Sequence, residues 1–124
     1  MLNDARLLAF VATTNPARAR VFYEEVLGLT FVADEPFALV FQSNEVGLRI
    51  AKVPALTPAP YTVLGWVVAD IAAAARTLGE RGVVFERFPG FAHDALGIFA
   101  FPDGTQVAWF KDPDGNTLSL TQFP

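Results

Sequence analysis

Residues 7–28 read LLAFVATTNPARARVFYEEVLG and residues 63–82 read VLGWVVADIAAAARTLGERG, and the two stretches carry the same signals in the same order. In the first, Leu7 to Ala12 is a short apolar run that reads as a strand. Asn15 is a helix N-cap, Pro16 suits the first helical position, and the helix is predicted to run to Leu27 and end at Gly28. The second stretch repeats this with a strand over Val63 to Val68, a cap at Asp70, a helix over Ile71 to Arg81 and a stop at Gly82. The caps lie about 55 residues apart, so a whole strand–helix unit recurs.

Outward from these stretches, β-type segments follow each helix. The first half has Leu29 to Ala33, Ala38 to Ser43 and Gly47 to Lys52. The second has Val83 to Arg87, Gly97 to Phe101, Gln106 to Lys111 and Thr117 to Gln122. Pro-Asp-Gly turns at Pro102 to Gly104 and Pro113 to Gly115 separate the last three, as hairpins require. Each half is read as a βαβββ module, the second with one β-type segment more than that pattern uses, giving an α+β fold. A lone module leaves one face of its sheet uncovered, so the two are expected to enclose a common core. The domain plan is a single domain over 1–124: module 1 about 1–53, a linker at 54–60 with three prolines, and module 2 about 61–124.

Composition narrows the function. The 124 residues suffice for one domain that buries roughly two thirds of its unfolded surface. With 52% hydrophobic residues, 18% charged and twelve Phe, the chain has the makings of a packed core rather than of a disordered segment. A net charge of −4 and no basic run argue against nucleic acid, whose phosphates need clustered Lys and Arg. Zero cysteines exclude disulfides, thiol nucleophiles and thiolate metal sites. Neither a basic, cleavable leader nor an apolar stretch of membrane-spanning length is present, and a soluble cytoplasmic protein is expected.

Alternation assigns faces to some side chains. In Gly47 to Lys52 the apolar Leu48 and Ile50 point toward a helix, which leaves Arg49 on the other face. In the last strand Leu118 and Leu120 do the same and leave Ser119 opposite. Val63 to Val68 is apolar on both sides, and periodicity does not orient it.

Two stretches carry a family resemblance: Asn15 to Leu29 (NPARARVFYEEVLGL) and Trp109 to Leu120 (WFKDPDGNTLSL). They resemble the first helix and the closing hairpin of the vicinal oxygen chelate superfamily, which includes glyoxalases, bleomycin-resistance proteins and extradiol dioxygenases. The resemblance implies two βαβββ modules forming an open, curled eight-stranded mixed sheet with helices outside. It also implies a homodimer, and a cavity in which metalloenzymes of the family hold a metal through His, Glu or Gln. Laid on that pattern, the ligand positions fall on Leu8 and Val63, each seven residues before its helix cap, and on Arg49 and Ser119 in the closing strands. None is a usual ligand for a transition metal. The resemblance therefore implies no metal, no cofactor and no catalytic residue.

What it implies instead is a binding protein of the bleomycin-resistance type that sequesters a small, largely apolar organic molecule. Leu8, Phe10, Val63 and Trp109 are the expected walls, Arg49 and Ser119 the polar contacts. Arg49 either faces the cavity and selects a polar or anionic group, or reaches solvent from an edge strand. Trp66 and Trp109 serve either the core or the pocket, with Trp109 nearer the closing hairpin. Phe22 and Tyr23 are expected to attach the first helix to its sheet. His93, the single histidine, is read as a rim residue, with acid–base work beside Asp94 as the alternative. Asp112 and Asp114 are read as turn residues, because the remaining ligands of a calcium loop are missing. The alternative functions are a glyoxalase-like lyase or dioxygenase with a non-standard site, and a metal-free enzyme of the same fold.

Overall fold

The two helix caps form as their residue types dictate. Asn15 Oδ1 accepts the Arg18 N–H at 3.2 Å, and Asp70 Oδ1 accepts the Ala73 N–H at 3.0 Å. The computed structural model describes all 124 residues, as two compact units, Met1–Thr57 and Pro58–Pro124. In the first unit the order is β1 (Leu8–Thr13), α1 (Pro16–Val21), β2 (Thr30–Asp34), β3 (Ala38–Ser43) and β4 (Val46–Lys52). In the second it is β5 (Thr62–Val67), α2 (Ile71–Glu80), β6 (Phe99–Ala100), β7 (Gln106–Lys111) and β8 (Thr117–Gln122).

The eight strands hydrogen-bond as two four-stranded mixed sheets, one per unit, in the orders β1-β4-β3-β2 and β5-β8-β7-β6. Each sheet joins its first and last strand in parallel, β1 to β4 and β5 to β8, and is antiparallel elsewhere. Neither closes into a barrel, and the α+β class stands. The register repeats along with the sequence: Phe10 lies opposite Arg49 in the first sheet, and Gly65 opposite Ser119 in the second.

One face of each sheet carries its helix. In the first unit Tyr23 is fully buried with its ring 6.1 Å from Phe41, beside Leu39, Leu48 and Ile50. In the second, α2 buries Ile71, Ala75 and Leu78 on the side of Phe110, Leu118 and Leu120. Burying a large apolar side chain contributes about 1.5–3 kcal/mol, so these residues dominate the stability of each unit. Deeper in the second hairpin, Asp112 Oδ1 accepts the backbone N–H groups of Asp114 and Asn116, and its Oδ2 accepts Asn116 Nδ2 at 2.8 Å. Asp112 is thus a buried turn organiser.

Three expectations need correction. The first helix does not stay α-helical to Leu27: from Phe22 to Val26 it widens into a π-turn, closed by a Leu27 N–H to Phe22 C=O bond of 2.9 Å. Val83 to Arg87 is not a strand. The outer edge of β7 is taken at Gln106 and Val107 by β6, and the earlier segment makes one backbone bond there, Glu86 N–H to Trp109 C=O at 2.7 Å. For the same reason Gly97 to Phe101 pairs only at Phe99 and Ala100.

Candidate functional site

The face of the second sheet turned away from α2 is aromatic. Strand alternation sends Ala108 and Phe110 toward the helix and therefore Trp109 and Lys111 to the opposite side, with Ser119 opposite Trp109 in the register. Over Trp109 folds the segment from Phe88 to Phe99. Phe88 meets the indole edge-on at 5.3 Å, Phe91 lies tilted at 6.2 Å, and Phe91 stacks on Phe99 at 4.6 Å. Such ring pairs are each worth about 0.5–1.5 kcal/mol beyond the area they bury. Phe88 and Phe91 nevertheless remain 39% and 45% exposed, so the rings present surface rather than sealing a core.

His93 holds this segment in place. Its Nε2 accepts the Phe88 N–H at 3.0 Å, which requires the neutral ring to carry its proton on Nδ1, and Nδ1 donates to the Gly97 carbonyl at 2.9 Å. Asp94 is spent locally too, accepting the Leu96 and Ile98 N–H groups on Oδ1, both at 2.9 Å. Gly97 is buried with φ +91°, and a Cβ there would come within 2.7 Å of Phe85 Cβ. The loop is therefore pinned by its histidine and by a position that accepts only glycine.

Between these rings, the start of β5 and the preceding prolines lies a groove of about 780 Å³. Trp109, Phe88 and Phe91 form one wall and Pro58, Pro60 and Tyr61 another, with Thr62, Thr117 and Lys111 at its polar margin. The size and apolar lining are those of a small-molecule site, typically ~300–1,000 Å³. Lys111 Nζ lies 3.3 Å from Glu86 Oε1.

Of the residues singled out in the sequence, Trp109 alone lines this groove. Ser119 lies farther along the same face, nine-tenths buried against Gly65, where an added Cβ would stand 2.7 Å from its Oγ. Val63 is the extra residue of a bulge between the Thr62–Thr117 and Leu64–Leu118 pairs, and no β8 residue opposes it. Trp66 pairs with the buried Leu120 and so shares the α2 face. Leu8, Phe10 and Arg49 share the helix-free face of the first unit, with Leu8 and Phe10 49% and 59% exposed. There Arg49 Nη2 donates to Glu35 Oε1 at 2.9 Å.

Chemically, the four metal-ligand positions of the resemblance do not fit a divalent cation. Leu8 and Val63 have no donor atom, Arg49 is itself a cation bonded to Glu35, and Ser119 offers one hydroxyl. No three His, Asp or Glu side chains gather elsewhere in a metal-binding cluster. Missed by the sequence reading were Phe88, Phe91, Tyr61 and the Glu86–Lys111 pair. The run of Phe85, Phe88, Phe91, Phe99 and Phe101 was the available signal, since so many rings in a loop-like segment cannot all be solvated.

Against known proteins, a family model described as Glyoxalase/Bleomycin resistance protein/Dioxygenase superfamily matches residues 6–120. The chain belongs to that superfamily. No curated protein sequence matches it. Among solved structures, a superfamily member from Sphaerobacter thermophilus DSM 20745 superposes with TM-score 0.76 at 24% identity, covering 98% of this chain and 99% of that one. TnmS3, an antibiotic binding protein from Streptomyces sp. CB03234, gives TM-score 0.72 at 25% identity over 100% and 99% of the two chains. Lactoylglutathione lyase from Agrobacterium tumefaciens gives 0.74 at 15% identity over 96% and 93%, a likeness of fold alone. No helix is long and apolar enough to cross a membrane.

Proposed function

We propose that this superfamily member binds and sequesters a small, largely apolar organic molecule without using a metal, as bleomycin-resistance proteins do, and acts as a cytoplasmic homodimer. The observation that carries this reading is the groove walled by Tyr61, Phe88, Phe91 and Trp109, in which Phe88 and Phe91 stay partly exposed although they pack on Trp109, and Tyr61 is exposed as well. An apolar guest would bury that remaining ring surface, and each 100 Å² removed from water is worth about 2.5 kcal/mol before the costs of binding. Leu8, Phe10 and Arg49 in the first unit and Val63 and Ser119 in the second, none of which lines the groove, are retained as candidate ligand contacts, each within its own unit. TnmS3, described as an antibiotic binding protein and 25% identical over the full chain, supports the same class of guest.

Catalysis by His93 and Asp94 is disfavoured, because both imidazole nitrogens and the Asp94 carboxylate are already bonded to the backbone of their own loop. Thermal-shift screening against aromatic antibiotics and polycyclic metabolites tests the reading. A guest bound at 100 times its Kd stabilises the fold by about 2.7 kcal/mol. A panel that produces no stabilisation, or near-stoichiometric zinc, nickel, manganese or iron in protein purified without chelators, would overturn it. Light scattering at micromolar concentration checks the dimer.

A further inference from the structure

We propose that Glu86 is the charge filter of the aromatic groove: by neutralising Lys111 it makes the site prefer an uncharged aromatic guest over an anionic one of the same shape. This inference rests on the ligand-binding reading of the same groove. Lys111 is the only charged residue that lines the cavity. An unanswered ammonium beside a wall of rings would draw anionic guests, because no other charged group lines the groove to offset it. Here Glu86 answers it, with Oε1 3.3 Å from Lys111 Nζ.

The carboxylate is built into place rather than passing by. Glu86 donates its backbone N–H to the Trp109 carbonyl at 2.7 Å, which moors the residue beside β7 two positions from Lys111. Its neighbour Phe85 packs edge-on against Phe110 at 5.7 Å, on the α2 side. In an extended segment alternate side chains point to opposite faces, so packing the half-buried Phe85 on Phe110 turns Glu86 toward Lys111 and the groove. This accounts for a segment with strand-like composition that makes a single ladder bond: its work is to seat Phe85 on one side and Glu86 on the other. On the first unit Arg49 is answered in the same way by Glu35.

The pair is partly solvated, with the Lys111 and Glu86 side chains 54% and 33% exposed, so the filter is worth a few-fold in affinity rather than orders of magnitude. N-phenyl-1-naphthylamine and 8-anilino-1-naphthalenesulfonate are suitable probes, because they share one skeleton and differ by a sulfonate. Fluorescence titrations with both at low salt should show the sulfonate-to-neutral affinity ratio rising about threefold to fivefold in Glu86→Gln. The gain should shrink as salt is added and vanish in Glu86→Gln/Lys111→Met. A purely structural role for Glu86 would weaken both dyes together and leave the ratio fixed. A ratio that does not move in Glu86→Gln, or a gain that survives loss of Lys111, overturns the charge filter. Phe91→Ala separates the two claims: affinities that ignore it remove the groove reading and this inference with it, whereas Phe91-dependent binding with a fixed ratio removes the inference alone.

Discussion

Replacing His93 with alanine should loosen the aromatic wall without touching the sheet beneath it. The imidazole makes two bonds to its own loop, from the Phe88 N–H at 3.0 Å and to the Gly97 carbonyl at 2.9 Å. The Phe88 bond is exposed and water can replace it, so its net worth is about 0.5 kcal/mol, whereas the half-buried bond to the buried Gly97 is worth about 1 kcal/mol. Ring packing against Phe88, Phe91, Phe99 and Trp109, at centroid distances of 6.1–6.2 Å, adds ~0.5–1 kcal/mol. The expected loss is therefore about 2 kcal/mol, a fall in Tm of roughly 6–8 °C for a chain of this length. His93→Phe keeps the ring and forfeits only the bonds, and should lose about 1.5 kcal/mol. Urea unfolding with an unchanged m-value measures both variants, and amide exchange at Phe88 reports the local loosening. If His93→Ala lies within about 0.5 kcal/mol of the parent and the Phe88 amide keeps its protection, the structural role of His93 is refuted and acid–base work returns as a reading.

Three further outcomes follow from contacts of the same kind. Gly97→Ala must bear both a positive φ and a Cβ 2.7 Å from Phe85 Cβ, and should cost about 2–4 kcal/mol by urea unfolding; a neutral result would mean that the loop relaxes freely. Asp112→Ala strips a buried turn of the acceptor for two backbone N–H groups and the Asn116 amide, so a loss of about 2–4 kcal/mol is expected by thermal unfolding, and a change under about 1 kcal/mol refutes its organising role. Arg49→Met breaks a partly exposed ion pair with Glu35 and should cost less than about 1 kcal/mol in stability, while lowering the affinity of any guest that reaches the first sheet; calorimetry with an unaltered Kd removes Arg49 from the site.

Much of the fold was legible because its signals are local. Asn15 and Asp70 cap helices through side chains that reach three residues ahead, and Pro-Asp-Gly turns bend the chain within four residues, so the sequence by itself determined where both helices begin and which segments form hairpins. Alternation likewise separated Arg49 and Ser119 from the leucines and isoleucine beside them, since a strand has only two faces.

What tertiary structure decided was competition for partners. Val83 to Arg87 has the composition of a strand, but β7 has one free edge and β6 takes part of it, which periodicity cannot foresee. Val63 falls in a bulge that only pairing reveals, and the widened turn at Phe22 to Val26 accompanies the seating of Tyr23 on Phe41. The groove belongs to the same class: Phe88 and Phe91 are distant in sequence from Tyr61 and Trp109, and their meeting depends on a loop folded back by the two nitrogens of one imidazole. Residue types and spacing specify short-range bonds, whereas a binding surface is made by long-range contacts that exist only once the chain has closed on itself.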